Sequence, residues 1–169
     1  MKTMSATDHA DAGTLLRASE ILEEFGDERS AFKCVAIGAE RNHGLSQLKL
    51  GYMYASGIGT KKDLKRAARW YASAYRNGLP VAAFNLAMDK KDQGDRRSAI
   101  AWFRKAIAQN YGDAFVALAA LYKERSATKR QAVDLLKRAL RLSRDHMSDE
   151  SRHEAEALLR DLQLRNLQK

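Results

Sequence analysis

The sequence predicts an all-α fold: a helical solenoid of about four helix pairs, with one more helix capping its C-terminal end. The first observation behind this is a phrase that recurs with a period near 34 residues. Its fullest copy reads Leu50-Gly51-Tyr52-Met53-Tyr54, then Gly57-Ile58-Gly59, Asp63, Ala67, Trp70-Tyr71, Ala74 and Gly78. A sparser copy has Leu86-Ala87, Gly94-Asp95, Ala99, Trp102-Phe103, Ala106 and Gly112. A third has Leu118-Ala119, Tyr122, Thr128, Ala132, Leu135-Leu136 and Ala139. Repeats of this length that alternate two amphipathic patterns stack into solenoids, because one helix pair cannot bury its apolar face alone. The second observation is composition: one proline and ten glycines, in a chain 45% hydrophobic and 30% charged, favour helix over a β-rich fold. The third is a column of short polar residues. Asp27, Asp63, Asp95 and Thr128 each stand four residues before Ala31, Ala67, Ala99 and Ala132. Their side chains can accept hydrogen bonds from the unpaired amides of a first helical turn, so the column marks the start of each pair's second helix.

Residues 1–13 lack apolar periodicity and read as a disordered or frayed leader. From Thr14 the pattern is helical, with Leu15, Leu16, Ser19, Leu22 and Phe25 on one face before Gly26 stops it. Asn42-His43-Gly44, Asn77-Gly78 and Asn110-Tyr111-Gly112 close the first three second helices, where glycine and asparagine tolerate a left-handed backbone. Pro80 falls in the first turn of the helix that follows, where its missing amide costs least. Ala67 and Ala74, Ala99 and Ala106, and Ala132 and Ala139 lie seven apart and let neighbouring helices approach, while Trp70, Trp102 and Leu135 are expected to fill the space between. Gly51, Ala87 and Ala119 supply the matching small residue on each first helix. Residues 149–166, with Ala155, Leu158, Leu159, Leu162 and Leu164, read as the cap. The expected division is a leader over 1–13, the repeat solenoid over 14–147 and the capping helix over 148–169.

Charge is unevenly spread. The net charge is +9, yet residues 1–40 carry four basic and eight acidic side chains against 22 and eight in residues 41–147. That asymmetry bears on partners rather than on fold. The single Cys34 excludes a disulfide framework and a CxxC metal site, and its place in the repeat suggests a buried packing residue. The N-terminal residues lack the apolar core of a signal peptide and no stretch is apolar enough to span a membrane, so a soluble cytoplasmic protein is expected.

The residues of the fullest copy resemble the Sel-1-like repeat family, relatives of the tetratricopeptide repeats. Residues 46–78 match the family phrase through Leu50-Gly51, Met53-Tyr54, Gly57 and Gly59, Asp63, Ala67, Trp70-Tyr71, Ala74 and Gly78. Residues 82–112 match its second half, and Lys90–Gly94 is a shorter turn without the paired glycines. Residues 114–141 and 15–44 are degenerate copies. The resemblance implies a right-handed superhelix of antiparallel helix pairs acting as an adaptor. The family's cysteine-rich members linked to hydrolysis offer no analogy to a chain with one cysteine.

No catalytic, metal or cofactor constellation emerges. Gly57-Ile58-Gly59-Thr60-Lys61 fits neither GxGxxG nor GxxxxGK[ST], follows no strand, and is accounted for as the turn between paired helices. His9, His43, His146 and His153 form no HExxH and show no second carboxylate at ligand spacing. A non-enzymatic chain without cofactor is expected. Two surfaces remain as binding candidates. By analogy with tetratricopeptide repeats, Leu48, Tyr52, Phe84, Met88, Val116 and Ala120 line a concave groove edged by Lys91 and Lys123. Such a groove suits an amphipathic helix or an extended acidic peptide. Lys65, Arg97 and Arg130 recur two residues before the alanine of each second helix, and Lys105 and Arg138 share another position, forming a basic stripe. The expected function is a protein–protein interaction scaffold holding a partner protein or peptide. Three bacterial roles stay open: a regulator, a secretion-linked chaperone or a toxin-neutralising partner. The alternative is a nucleic-acid-binding module using the stripe, disfavoured because exposed aromatics are not interleaved with the charge. A monomer or weak homodimer that does not bind membranes is expected.

Overall fold

The computed structural model describes residues 11–167, apart from Arg125. Among them are nine α-helices and no strand: α1 Ala12–Glu24, α2 Glu28–Glu40, α3 Gly44–Ser56, α4 Leu64–Arg76, α5 Pro80–Asp92, α6 Arg96–Ala108, α7 Gly112–Lys123, α8 Lys129–Ala139 and α9 Asp149–Leu167. They fall into two compact units, one up to Asp89 and one from Lys90. In the first, α1 packs on α2, α2 on α3 and α3 on α4; in the second, α6 packs on α7, α7 on α8, and α9 on both α7 and α8. Successive antiparallel pairs of this kind make the chain a helical solenoid, and α9 is its C-terminal cap.

The helix starts follow the polar column, with one exception. The carboxylates of Asp27, Asp63 and Asp95 accept from first-turn amides of α2, α4 and α6. Thr128 holds the corresponding place before α8 but makes no side-chain cap bond, and its hydroxyl donates to the Tyr122 carbonyl at 2.5 Å. A short 3₁₀ turn, Ser126–Thr128, precedes α8 and turns that hydroxyl backwards. Helix α1 begins two residues earlier than expected, because Asp11 caps it through the amides of Gly13 and Thr14. The rest of the expected leader, residues 1–10, lies outside the described residues.

At the helix ends the left-handed residue is one of the asparagines or glycines named for them, but not the same type in each copy. Asn42 and Asn110, not Gly44 and Gly112, carry the positive φ angles of 61° and 58°, whereas in the middle copy Gly78 carries it at 83°. Gly44 and Gly112 instead open α3 and α7 at places of close approach: a Cβ on Gly112 would lie 2.3 Å from the Cβ of Met147. The asparagines also link repeats. Asn77 Nδ2 donates to Asn42 Oδ1 at 2.9 Å and to Gln47 Oε1 at 2.8 Å, while buried Gln47 donates to the Ala39 carbonyl.

The alanine columns form the helix contacts as expected: Ala67, Ala74, Ala99, Ala106, Ala132 and Ala139 are fully buried. The large core residue, however, is one position later than expected. This holds in two copies, where Tyr71 and Phe103 are buried and Trp70 and Trp102 half-buried; in the third, Leu135 is buried as expected, together with Leu136. Gly51 explains the choice in the first unit, since a Cβ there would lie 2.7 Å from the Tyr71 ring. The ring occupies the slot that the missing side chain leaves, and each fully buried aromatic contributes roughly 2–3 kcal/mol. Cys34 is likewise half-buried, and its neighbour Val35 takes the core position. Two further residues leave the apolar faces assigned to them: Phe25 is 82% exposed at the end of α1, and Leu164 is 61% exposed on α9.

Two turns show why particular residues are needed. Gly57 and Gly59 both have positive φ, and a Cβ on Gly59 would lie 2.1 Å from the Glu28 carbonyl oxygen. The paired glycines therefore let the α3–α4 turn close onto the start of α2. At the other end, Arg152 of α9 donates to the carbonyls of Leu140 and Leu142 and satisfies the C-terminal end of α8.

Candidate functional site

The groove residues divide between the units: Leu48, Tyr52, Phe84 and Met88 lie in the first, Lys91 and Lys123 in the second. On α3, Leu45, Leu48 and Tyr52 follow i, i+3, i+7 spacing and so share a face; Leu45 is 50% and Tyr52 53% exposed. Leu48, Phe84, Met88, Lys91 and Lys123 are half-buried. Val116 is fully buried in α7 and leaves the lining, because its face of that helix is covered.

Tyr71 brings the α3 and α5 parts of this surface together. Its hydroxyl is hydrogen-bonded to Asn85 and stands near Asp89 and Tyr52. Burial, reinforced by the Asp89 carboxylate and Tyr52, pushes its ionisation far above the ordinary tyrosine range, so it stays a neutral phenol. The floor between α3 and α5 is thus polar, while Leu45, Leu48, Phe84 and Met88 supply apolar surface beside it. Sequence reading missed Asn85 and Asp89, which recur in no other copy, and gave Tyr71 no role beyond its place in the repeat phrase.

The residues of the basic stripe have different local surroundings. Lys65, Arg97, Arg130, Lys105 and Arg138 are all exposed. The Lys105 ammonium sits 3.6 Å from the centroid of the Trp102 ring, and the Arg138 guanidinium 5.2 Å from that of Phe115. Arg130 and Arg138, with Arg104 of α6, instead enclose a cleft of about 560 Å³ among α6, α7 and α8. Leu118, Leu135, Ile107 and Ala127 give it apolar walls, and Tyr122, Gln131 and Asp134 complete it. Arg104 donates to the Tyr122 hydroxyl at 3.0 Å, which fixes one guanidinium at the rim.

The first unit has a smaller counterpart of about 430 Å³, lined by Tyr54, Arg66, Arg69, Trp70, Ser73 and Arg76. Tyr54 corresponds in the repeat to Tyr122, and Arg66, Arg69, Trp70 and Ser73 correspond to Gln131, Asp134, Leu135 and Arg138. Arg66 lies 5.5 Å from the Tyr54 ring centroid, and its guanidinium reaches the Tyr54 hydroxyl at 3.4 Å. Among the described residues, no group of three or more His, Cys, Asp or Glu is placed to hold a metal ion, and no helix is long and apolar enough to cross a membrane.

Comparison with known proteins agrees with this architecture. The Sel1 repeat family model matches residues 44–79 and 80–111, which begin at the first residues of α3 and α5. A putative sel1-like repeat-containing protein of Acanthamoeba polyphaga mimivirus is 34% identical over 67 residues, 40% of this chain. The chain spans only 13% of that relative's length. Among solved structures, a Sel1 repeat protein from Oxalobacter formigenes aligns with a TM-score of 0.65 at 22% identity, covering 80% of this chain and 60% of that one. A protective antigen present in uropathogenic Escherichia coli strains, displaying an SLR fold, aligns with a TM-score of 0.68 at 19% identity, over 95% of this chain and 39% of that one. At these identities the two structures establish the helical-repeat fold.

Proposed function

We infer that this chain, a Sel1-like repeat protein, is a non-enzymatic adaptor that holds a partner protein or peptide against the α3–α5 face of its first unit. Proteins of the Sel1 repeat family are generally protein-interaction scaffolds. The observation that carries the reading here is the half-exposed Tyr52, set between apolar Leu45 and Leu48 on one side and the Tyr71–Asn85–Asp89 floor on the other. An aromatic that is half in solvent beside an apolar strip and fixed polar groups has the make-up of an interaction anchor. Asp89 and Asn85 would bond main-chain or side-chain donors of a partner, while Leu48, Phe84 and Met88 would take its apolar side chains. Among regulatory, secretion-linked and toxin-neutralising roles, all three require a held partner and none is singled out by these residues. A cytoplasmic setting is consistent with each.

The test is affinity capture from the native cell with wild-type chain and with Leu48→Asp/Tyr52→Asp. Tyr52 is exposed and Leu48 half-buried on α3, and far-UV circular dichroism is expected to be unchanged. The wild type is expected to retain its partner at about 0.3 M salt, since apolar anchors are not screened as phosphate contacts are. The variant is expected to lose it. Equal capture by both chains would sink the assignment of this face.

A further inference from the structure

We propose that the cleft among α6, α7 and α8 is a second binding site, one that takes an acidic peptide segment carrying an apolar side chain between its carboxylates. It rests on the chain being a protein-binding scaffold but uses a different face and different residues from α3 and α5. Three arginines, Arg104, Arg130 and Arg138, surround a cavity of about 560 Å³ that contains one carboxylate, Asp134. Its size lies within the roughly 300–1,000 Å³ of sites that bury a small ligand. Its walls are amphipathic: Leu118, Leu135 and Ile107 offer apolar surface that a fully hydrated anion would not use.

Charge and shape together choose the occupant. Arg130, Asp134 and Arg138 follow one another at four-residue spacing on α8, so they lie along one face of that helix. Arg104 faces them from α6, its guanidinium oriented by the Tyr122 hydroxyl at 3.0 Å. Guanidinium groups recognise carboxylates through paired, charge-assisted hydrogen bonds, and orienting the guanidinium in advance lowers the ordering cost of binding. An apolar side chain seated on Leu118 and Leu135, with acidic residues before and after it, would satisfy walls and rim at once. Nucleic acid fits less well. Tyr122 is the one aromatic among the residues that line this cleft, and at 7% exposure it leaves little ring face on which a base would stack. The cleft of the first unit, at the same repeat position and with three arginines of its own, indicates that this part of the repeat forms a receptacle wherever basic residues surround its tyrosine.

The experiment is selection of a randomised dodecapeptide display library on the full chain, followed by fluorescence anisotropy of the enriched peptides. Enrichment of sequences with an apolar residue flanked by Asp or Glu is expected. Their binding is expected to weaken about tenfold or more in Arg130→Gln/Arg138→Gln, a difference well beyond that from a loss of distant charge. Because Arg138 also packs over Phe115, the single variant Arg130→Gln, at an exposed position, serves as a second probe and is expected to weaken binding in the same direction. Lys65→Gln/Arg97→Gln removes the same charge outside the cleft and is expected to leave affinity within about twofold. Selection without acidic enrichment would overturn the proposal, as would equal losses in the cleft and control variants. Preferential, arginine-dependent binding of a short labelled oligothymidylate would overturn it in favour of nucleic acid. Leu48→Asp/Tyr52→Asp is expected to bind the selected peptides normally, so failure of the α3–α5 face and failure of the cleft are told apart.

Discussion

Tyr54 of α3 and Tyr122 of α7 occupy the same place in the repeat, yet they are held by arginines of different origin. Tyr54 is reached at 3.4 Å by Arg66, from the second helix of its own pair, at an exposed site. Tyr122 is reached at 3.0 Å by Arg104, from the helix before it, at a partly buried site. In the first unit the arginine lies against the tyrosine ring and leaves a smaller cleft. In the second unit it bridges two helices and encloses a larger one. The repeat therefore dictates the receptacle, while residues outside the repeat phrase decide what it accepts.

The largest expected effect tests the common layer beneath the two clefts. Leu136→Ala empties a fully buried position in the second unit and is expected to cost about 2–5 kcal/mol in urea denaturation. Trp70→Ala removes a half-buried side chain from the wall of the first cleft and is expected to cost clearly less, about 1–2 kcal/mol, because solvent can enter the space left. Equal costs would mean that Trp70 is as much a core residue as Leu136.

A smaller effect separates the tyrosines themselves. Tyr122→Phe leaves Arg104 without its partly buried partner and is expected to destabilise by about 1 kcal/mol. Tyr54→Phe gives up a longer, exposed contact, and no change is expected to be resolved in the same melts. The reverse order would undo the comparison.

The smallest effect is pH dependence at the helix starts. Bonds from the Ser30 hydroxyl and then its amide hold the Asp27 carboxyl below its ordinary value of 3.8, and bonds from Ser98 do the same for Asp95. A depressed folded-state pKa means that the stability these caps contribute is present above the unfolded value and is lost as pH falls through the folded one. Asp27→Asn/Asp95→Asn is therefore expected to flatten the decline of Tm between about pH 5 and pH 2. Thr128→Ala, at the uncharged start of α8, is expected to leave that decline as steep as in the wild type. Parallel curves for the wild type and the double aspartate variant would show that these caps do not titrate as the geometry requires.

Much of the architecture was legible because repetition exposes what packing demands. Alanines seven apart mark a helix–helix contact wherever they recur, and all six alanines read this way are buried. The polar column located three caps correctly. It failed at Thr128, whose short 3₁₀ turn is a local backbone choice that residue spacing does not reveal. Trp70 and Tyr71 differ by one position and both suit the alanine face, and only the slot over Gly51 decides between them. The sites were less legible for a related reason. Periodicity drew attention to Arg130 and Arg138, which recur, and passed over Arg104, which aligns with Ala72 in the neighbouring copy. Asn85 and Asp89 were missed in the same way. The signal that could have found Arg104 is its place on α6 beside the start of α8, which requires the packing of three helices.

The most direct measurement is photocrosslinking from position 52. A benzophenone amino acid in place of Tyr52, irradiated in the native cell, is expected to give one discrete covalent adduct with a partner protein, and that adduct is expected to disappear when Leu48→Asp is added. The same photoprobe at Arg97, on the exposed side of α6, is expected to give no such adduct. An adduct from position 97 and none from position 52 would contradict the claim that the α3–α5 face holds the partner.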